Sequence, residues 1–322
     1  MFKNNTDRQN IEKMSKNSTE TENKKIYKQG AKKIDAEFIK ACDDEFDTRL
    51  SLLMSDFAKK NRSRVIGLTG PTCSGKTTAA KKLIEYLGDE QKRVHTISLD
   101  DFFKTNFSRE ELVGADFSKI DFDSPDTLDV VELERFTSEL FSTGVAKKPI
   151  FNFETGERDA YEEIVSDDDD VYIFEGIQVL YPAVLSIIES HGGSVLCVCP
   201  ESGIEIDGVK FKPNFIRLCR RLVRDANFRA STPEFTFSVW DGVRRNEKEN
   251  IFPFIDRCDL VIDTTHSYEM NVLAPYLRRL LSSMTEGDEH YPKCLEILDA
   301  IKNIEGIDSS VIGERSLYKE FV

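Results

Sequence analysis

The sequence predicts an α/β fold, a doubly wound parallel sheet with helices on both faces, and three observations carry that expectation. Short apolar runs alternate with helix-favouring segments along most of the chain, the pattern that sets strands side by side and covers them with helices. The segment Gly70-Pro71-Thr72-Cys73-Ser74-Gly75-Lys76-Thr77 fits G-x-x-x-x-G-K-[ST] without a mismatch. It stands between the strand-like run Val65-Ile66-Gly67-Leu68 and a helical run over 78–87, which is the context such a loop requires.

The loop defines the first chemistry. Its glycines let the backbone curl so that successive N–H groups face phosphate oxygens, Lys76 reaches the terminal phosphates, and the Thr77 hydroxyl is a ligand for Mg²⁺. Gly70, Pro71, Thr72, Cys73, Ser74, Gly75, Lys76, Thr77 and Thr78 are the expected triphosphate-binding residues. Cys73 stands beside Lys76 and a helix N-terminus, which can activate a thiol toward electrophiles; the plainer reading is a small residue filling the loop.

Further strands follow from the same periodicity. Residues 94–99 read as a second strand that delivers Asp100-Asp101 at its carboxyl end, the edge where ligands sit in open α/β sheets. Residues 148–153, 171–174, 194–199 and 260–262 read as additional strands, the second of these ending in Glu175-Gly176. Ile204-Glu205-Ile206-Asp207-Gly208-Val209 carries a hairpin signal, and 167–170 reads as an exposed acidic turn. Residues 217–229 form an arginine-rich helix. At about 100° per residue, Arg217, Arg220, Arg221 and Arg224 share one stripe opposite Ile216, Leu218, Cys219, Leu222 and Val223, so an apolar face anchors the helix and an arginine face is left for phosphate. Arg229 and the pair Arg244-Arg245 extend that patch.

Composition bounds the alternatives. The chain has 322 residues, 39% hydrophobic and 32% charged, enough for one large domain with appendages. A net charge of −14 argues against a general nucleic-acid or membrane binder. No apolar run approaches the ~20 residues of a membrane span, and no secretory leader pattern opens the sequence. Seven cysteines, with no close pair except Cys197-Val198-Cys199, fit buried thiols in a reducing, cytoplasmic setting. The four histidines lack metal-ligand spacing. Residues 1–33 hold nine basic and four acidic groups and few large apolar ones, so a disordered basic head is expected. A helix is expected over 34–62 from the spacing of Phe38, Cys42, Phe46, Leu50, Leu53 and Phe57. Self-association through that helix stays open, and with it a homo-oligomer. The phosphate-loop domain is expected over 63–283 and a C-terminal helical tail over 284–322.

Phosphoryl transfer needs a second carboxylate centre to orient and deprotonate an acceptor hydroxyl and to help hold Mg²⁺. Asp100 is the expected base, Asp101 its near rival, and Glu175 the partner in the metal shell.

These residues carry a resemblance. Ser98-Leu99-Asp100-Asp101-Phe102-Phe103 resembles the S-x-D-x-F-Y segment of uridine kinases, Asp121-Phe122-Asp123-Ser124-Pro125-Asp126-Thr127-Leu128-Asp129 resembles their N-F-D-H-P-D-A-F-D, and Phe174-Glu175-Gly176 matches their F-E-G. The arginine helix is similar to their R-L-x-R-R-x-x-R-D lid helix. Taken in order over 63–283, the set is identified with the uridine kinase and phosphoribulokinase family of P-loop kinases. Gly156-Glu157-Arg158, Ile251-Phe252-Pro253-Phe254 and Ser316-Leu317-Tyr318-Lys319-Glu320-Phe321 look like a uridine kinase-like branch of it.

The resemblance implies a P-loop kinase fold with an arginine-rich lid, ATP and Mg²⁺ as cofactors, and a small nucleoside as partner. It assigns catalysis to Asp100, Lys76, Arg221 and Arg224, the metal shell to Thr77, Glu175 and Asp100, and acceptor binding to Asp123, Phe151, Arg158, Arg221 and Arg229. Where the family carries a phenol and a pyrimidine-reading histidine, this chain has Phe151 and Gly156. The expected reaction is transfer of the ATP γ-phosphate to the 5′-hydroxyl of uridine or cytidine. A different sugar or alcohol acceptor is one alternative, and a nucleotide-binding regulator without turnover is another. A guanine-specific switch is disfavoured because the chain has no N-K-x-D string.

Overall fold

Three apolar runs, 65–69, 171–175 and 194–199, form the middle of one parallel sheet because each buries both of its faces, and the half-buried runs 94–98 and 260–263 are its edges. The computed structural model describes residues 25–29, 34–60, 63–88, 93–105, 124–153 and 155–322. In chain order the main elements are strand β1 (Ile26–Gln29), helix α1 (Ala36–Lys60), strand β2 (Val65–Thr69), helix α2 (Lys76–Leu87), strand β3 (Val94–Ser98) and helix α3 (Val130–Thr143). A hairpin of β4 (Val145–Asn152) and β5 (Glu157–Val165), strand β6 (Val171–Glu175), helix α4 (Pro182–Ser190) and strand β7 (Ser194–Cys199) follow. The small hairpin β8 (Gly203–Ile206) and β9 (Val209–Phe211), helices α5 (Pro213–Phe228) and α6 (Pro233–Asn246), strand β10 (Leu260–Asp263), and helices α7 (Glu269–Leu281) and α8 (Tyr291–Ile301) complete them.

The central sheet runs β10-β7-β2-β6-β3, with every neighbouring pair parallel. Alternate residues feed alternate layers. Ile66, Leu68, Ile173, Leu196 and Val198 pack with α1, α2 and the last residues of the chain, whereas Val65, Tyr172, Phe174 and Val195 pack with α3 and α4. This is the doubly wound α/β fold that the sequence predicts. Helix α1 earns its place through Ile39, Phe46, Leu50, Met54 and Phe57, all buried on one stripe; each such side chain stabilises the fold by about 1.5–3 kcal/mol. A third cluster joins α5, α6, α7 and α8. Among the described residues no helix is long and apolar enough to cross a membrane. All seven cysteines are free thiols.

Three expectations need correction. Residues 26–29, expected within a disordered head, form β1, which pairs in parallel with β8; the partner edge lies far along the chain, so local composition could not signal it. Residues 1–24 and 30–33 of that head lie outside the described residues. The strand expected at 148–153 is β4, and it belongs to an antiparallel hairpin with β5 rather than to the parallel sheet. Most residues of β5 are exposed, so it carries little of the apolar alternation that marks a strand. Asp170, read as part of an exposed turn, is buried and accepts hydrogen bonds from Arg93 Nη2 at 2.9 Å, His95 Nε2 at 3.1 Å and the Asp167 N–H at 2.9 Å.

One buried titratable group makes the fold sensitive to acid. His266 packs against Phe46, Tyr268 and Tyr318, and its Nδ1 donates to the Thr264 carbonyl at 3.1 Å. Burial first, then the charges of Arg220 and Arg49, lower its pKa from 6.5 to about 3. The folded value lies below the unfolded one, so the stabilisation is complete above about pH 6.5 and is lost as pH falls toward 3, at up to about 1.4 kcal/mol per pH unit. Denaturant titrations across this range are expected to show a flatter pH dependence for His266→Gln than for the wild type. Parallel curves would contradict the assignment.

Candidate active site

Three strand ends meet at one level. Register pairs Glu175 of β6 with Leu68 of β2 and with Ser98 of β3, so the phosphate loop, Glu175 and Asp100 leave the sheet side by side. The loop then hugs its surroundings. A Cβ at Gly70 would lie 2.0 Å from the Val198 carbonyl oxygen, and at Gly75, where φ is 93°, a Cβ would lie 2.3 Å from Leu317 Cδ1. Only glycine lets the backbone pass this close to β7 and then turn into α2. The positive end of α2 faces the resulting cavity. Ser74 Oγ is buried in its wall and has no hydrogen-bond partner among the described residues.

The loop is held from behind by two arginines of α5. Arg217 Nε donates to the Thr72 carbonyl at 3.0 Å and Arg220 Nη1 to the Cys73 carbonyl at 3.3 Å. Thr264 Oγ1 donates to the Ser74 carbonyl at 2.7 Å. Tying these carbonyls to the rear leaves the loop's N–H groups to face the cavity. Both guanidiniums are buried and paired, Arg217 with Glu247 and Arg220 with Glu269, the latter at 2.7 Å. Burial opposes the charge of Arg220, but Glu269 and Tyr318 outweigh it and raise its pKa. The expectation of a four-arginine phosphate stripe is therefore corrected. Spacing alone could not reveal that two of the four face buried glutamates on other elements.

Arg221 and Arg224 are the pair that enters the cavity. Asp225, buried beneath them, accepts from Arg221 Nε at 3.2 Å and from Arg224 Nη2 at 2.6 Å, and lies 3.8 Å from Arg229. Partial burial first, and the charge of Arg224 second, lower the pKa of Arg229. Like charges gathered this closely suit a polyanion.

Lys76, Thr77, Asp100, Glu175, Arg221 and Arg224 line a single cavity of about 290 Å³, and Gln178, Arg229 and Glu320 are also part of its wall. Lys76 Nζ donates to the Gly70 carbonyl at 3.0 Å. A larger depression of about 540 Å³ between α3 and α4 offers Glu134 and no lysine or arginine, so the chemistry belongs to the smaller one. The two neighbouring aspartates are separated by geometry. Asp100 lines the cavity and accepts from Gln178 Nε2 at 2.8 Å. Asp101 faces the hairpin, where it pairs with Lys148 at 3.1 Å and accepts the Phe151 N–H at 3.3 Å. Burial raises the pKa of Glu175; Lys76 pulls it down and Asp100 adds to the rise. Cys73 is buried, packing in the core beneath the loop and lining the cavity.

The hairpin residues gather beside the segment that follows Asp100. Phe103, Phe151 and Phe153 form an aromatic cluster with ring centroids 5.1 to 6.0 Å apart, and Phe153 is largely exposed. Arg158 pairs with Asp129 at 2.8 Å and donates to the Phe103 carbonyl at 2.9 Å, which clamps the hairpin to the segment that follows Asp100. Burial opposes charge on Asp129, but the hydrogen bond from Arg158 holds its pKa below the usual carboxylate value. Asp123 lies outside the described residues.

With this geometry in place, comparison with known proteins fixes the class. Residues 65–270 match the phosphoribulokinase / uridine kinase family, and the chain belongs to that family of P-loop kinases. The chain is 30% identical over 203 residues to a uridine kinase of Clostridium botulinum (strain Okra / Type B1), a match covering 62% of this chain and 88% of that one. It is 29% identical over 217 residues to uridine-cytidine kinase A of Dictyostelium discoideum, covering 66% of this chain but 39% of that protein's length. A solved structure described as a possible uridine kinase from Bacillus stearothermophilus aligns with a TM-score of 0.44 at 20% identity, over 68% of this chain and 100% of that one.

Several residues at the site escape sequence reasoning. Gln178 is a polar side chain within the apolar run 177–180, a signal that was present but unspecific. Glu247 and Glu269 gave no local sign of their buried partners. Their pairing is testable. Arg220→Met leaves Glu269 buried and unpaired, with an expected loss of ~3–5 kcal/mol of stability, whereas Arg220→Met combined with Glu269→Leu is expected to recover much of that loss in urea titrations. Additive effects of the two substitutions would contradict the pair.

Proposed function

We propose that this chain transfers the γ-phosphate of ATP to the 5′-hydroxyl of a pyrimidine nucleoside. The observation that carries the reading is the convergence of Lys76, Thr77, Asp100, Glu175, Arg221 and Arg224 on one cavity. A cavity built only to bind nucleotide needs neither a carboxylate held by Gln178 nor a pair of cations opposite the loop. The similarity to uridine and cytidine kinases supports the nucleoside.

In this reading Asp100 takes the proton of the acceptor hydroxyl as its oxygen bonds to the γ-phosphorus and the bridging bond to the β-phosphate breaks, leaving ADP. Gln178, buried and donating to Asp100, fixes the carboxylate's orientation. Lys76, Arg221 and Arg224 stabilise charge spreading over the phosphates, with Asp225 setting the arginines' aim. The oxygen donors Thr77, Asp100 and Glu175 suit a hard divalent cation, and they line one wall of the cavity, with Glu175 half-buried. Mg²⁺ bound there would neutralise the β and γ oxygens. The cluster of Phe103, Phe151 and Phe153 offers aromatic faces for the base. Asp123 is proposed to hold the ribose hydroxyls, and because Phe151 and Gly156 supply no polar side chain, discrimination between uridine and cytidine is expected to be shallow.

Steady-state kinetics with Mg-ATP on uridine, cytidine, deoxyuridine and simple sugars test this reading. Uridine and cytidine are expected to turn over comparably and deoxyuridine poorly, since each hydrogen bond lost between a ribose hydroxyl and its acceptor costs roughly 1–3 kcal/mol. Asp100→Asn is expected to lower kcat by about 10²- to 10⁴-fold with ATP still bound, and Asp101→Asn to retain chemistry. Phosphorylation of a sugar but of no nucleoside would contradict the proposed acceptor; equal rates on uridine and deoxyuridine would remove the role of Asp123.

A further inference from the structure

The end of the chain folds back onto the phosphate loop. Residues 317–320 form a short 3₁₀ turn, Leu317–Glu320, and its apolar members are fixed. Leu317 packs on Gly75, the Tyr318 hydroxyl accepts from Arg220 Nη2 at 3.1 Å, and the Phe321 carbonyl accepts from Asn227 Nδ2 at 2.9 Å. Leu317, Tyr318 and Phe321 are buried. Glu320 differs from them. It is half-buried on the cavity wall, and its Oε1 accepts both the backbone N–H and the hydroxyl of Thr78 at 2.6 Å each.

Thr78 is the third residue of α2, so its N–H belongs to the first turn, whose donors have no partner within the helix. Those donors, with the positive end of the helix, are what a phosphate loop offers a nucleotide. A carboxylate already engaging them is an anion at an anion site. A phosphate oxygen cannot take the same two donors while the carboxylate remains, because the two like charges would share one small, partly desolvated space. The repulsion is already felt on the wall, where Glu320 contributes to the raised pKa of Glu175.

We propose that Glu320 is an internal latch, a carboxylate that competes with a nucleotide phosphate for the N-terminus of α2 and thereby sets nucleotide affinity. The moving part is one side chain. The tail that carries it is anchored in the core and against Arg220, so admission of nucleotide needs a rotation of Glu320 and not release of the tail. The inference rests on the nucleotide-binding reading of the cavity and not on the identity of the acceptor.

The test is calorimetric titration of the full-length wild type, Glu320→Gln and Glu320→Ala with Mg-ADP and Mg-ATP, alongside thermal melts of the nucleotide-free proteins and a Lys76→Ala control. If the latched form holds about nine-tenths of the molecules, removing the charge tightens binding on the order of tenfold. The latch predicts opposite signs: tighter nucleotide binding, yet a lower melting temperature without nucleotide, because the helix terminus loses its charge partner. Unchanged or weaker binding by both variants, with the wild type binding and Lys76→Ala not, would overturn the latch and leave the nucleotide site standing. Failure of the wild type and both variants to bind would overturn the nucleotide reading and the latch together.

Discussion

The site depends on two buried guanidiniums that grip the phosphate loop from the rear. Loop carbonyls left to themselves would turn toward any donor, including Lys76. Arg217 and Arg220 capture those of Thr72 and Cys73 and so orient the intervening peptides. Charges this deep are tolerable only when paired. Glu247 and Glu269 supply the pairs, and they come from the segment after α6 and the start of α7. The packing of α5, α6 and α7 is thereby coupled to the conformation of the loop. The chain's most interior ion pairs serve geometry at its surface.

That arrangement also divides labour along α5. Arg217 and Arg220 are consumed by the interior, while Arg221 and Arg224, held by Asp225, are directed at the cavity. One helix therefore both braces the phosphate loop and presents the cations opposite it. Any displacement of α5 would move the brace and the cations together, so loop order and cation placement are mechanically linked. The 3₁₀ turn Leu99–Phe102 makes a similar division, with Asp100 lining the cavity and Asp101 bound to the hairpin bearing Phe151.

Sequence revealed what local pattern encodes. The phosphate loop is a contiguous string whose spacing is its function, and the central strands announced themselves because burial on both faces demands apolar runs. Glu175 and Asp100 were legible because strand ends bring residues to a common edge. The arginine helix was half legible: its periodicity gave the face, but not the buried glutamates that claim two of its four cations. Strand β5 escaped because its residues face solvent and need no apolar alternation. The contact between Glu320 and Thr78 escaped because 242 positions separate the two residues, and nothing near either one encodes the other.

The arginines behind the phosphate loop preset its conformation, and amide hydrogen exchange of residues 70–78 in the nucleotide-free protein reports on that order. Slow exchange of the loop amides, approaching that of β2, is expected, with a marked loss of protection in Arg217→Met and Arg220→Met under conditions where β2 remains protected. Exchange as fast as that of an unstructured surface loop in the wild type, unaltered by either substitution, would contradict it.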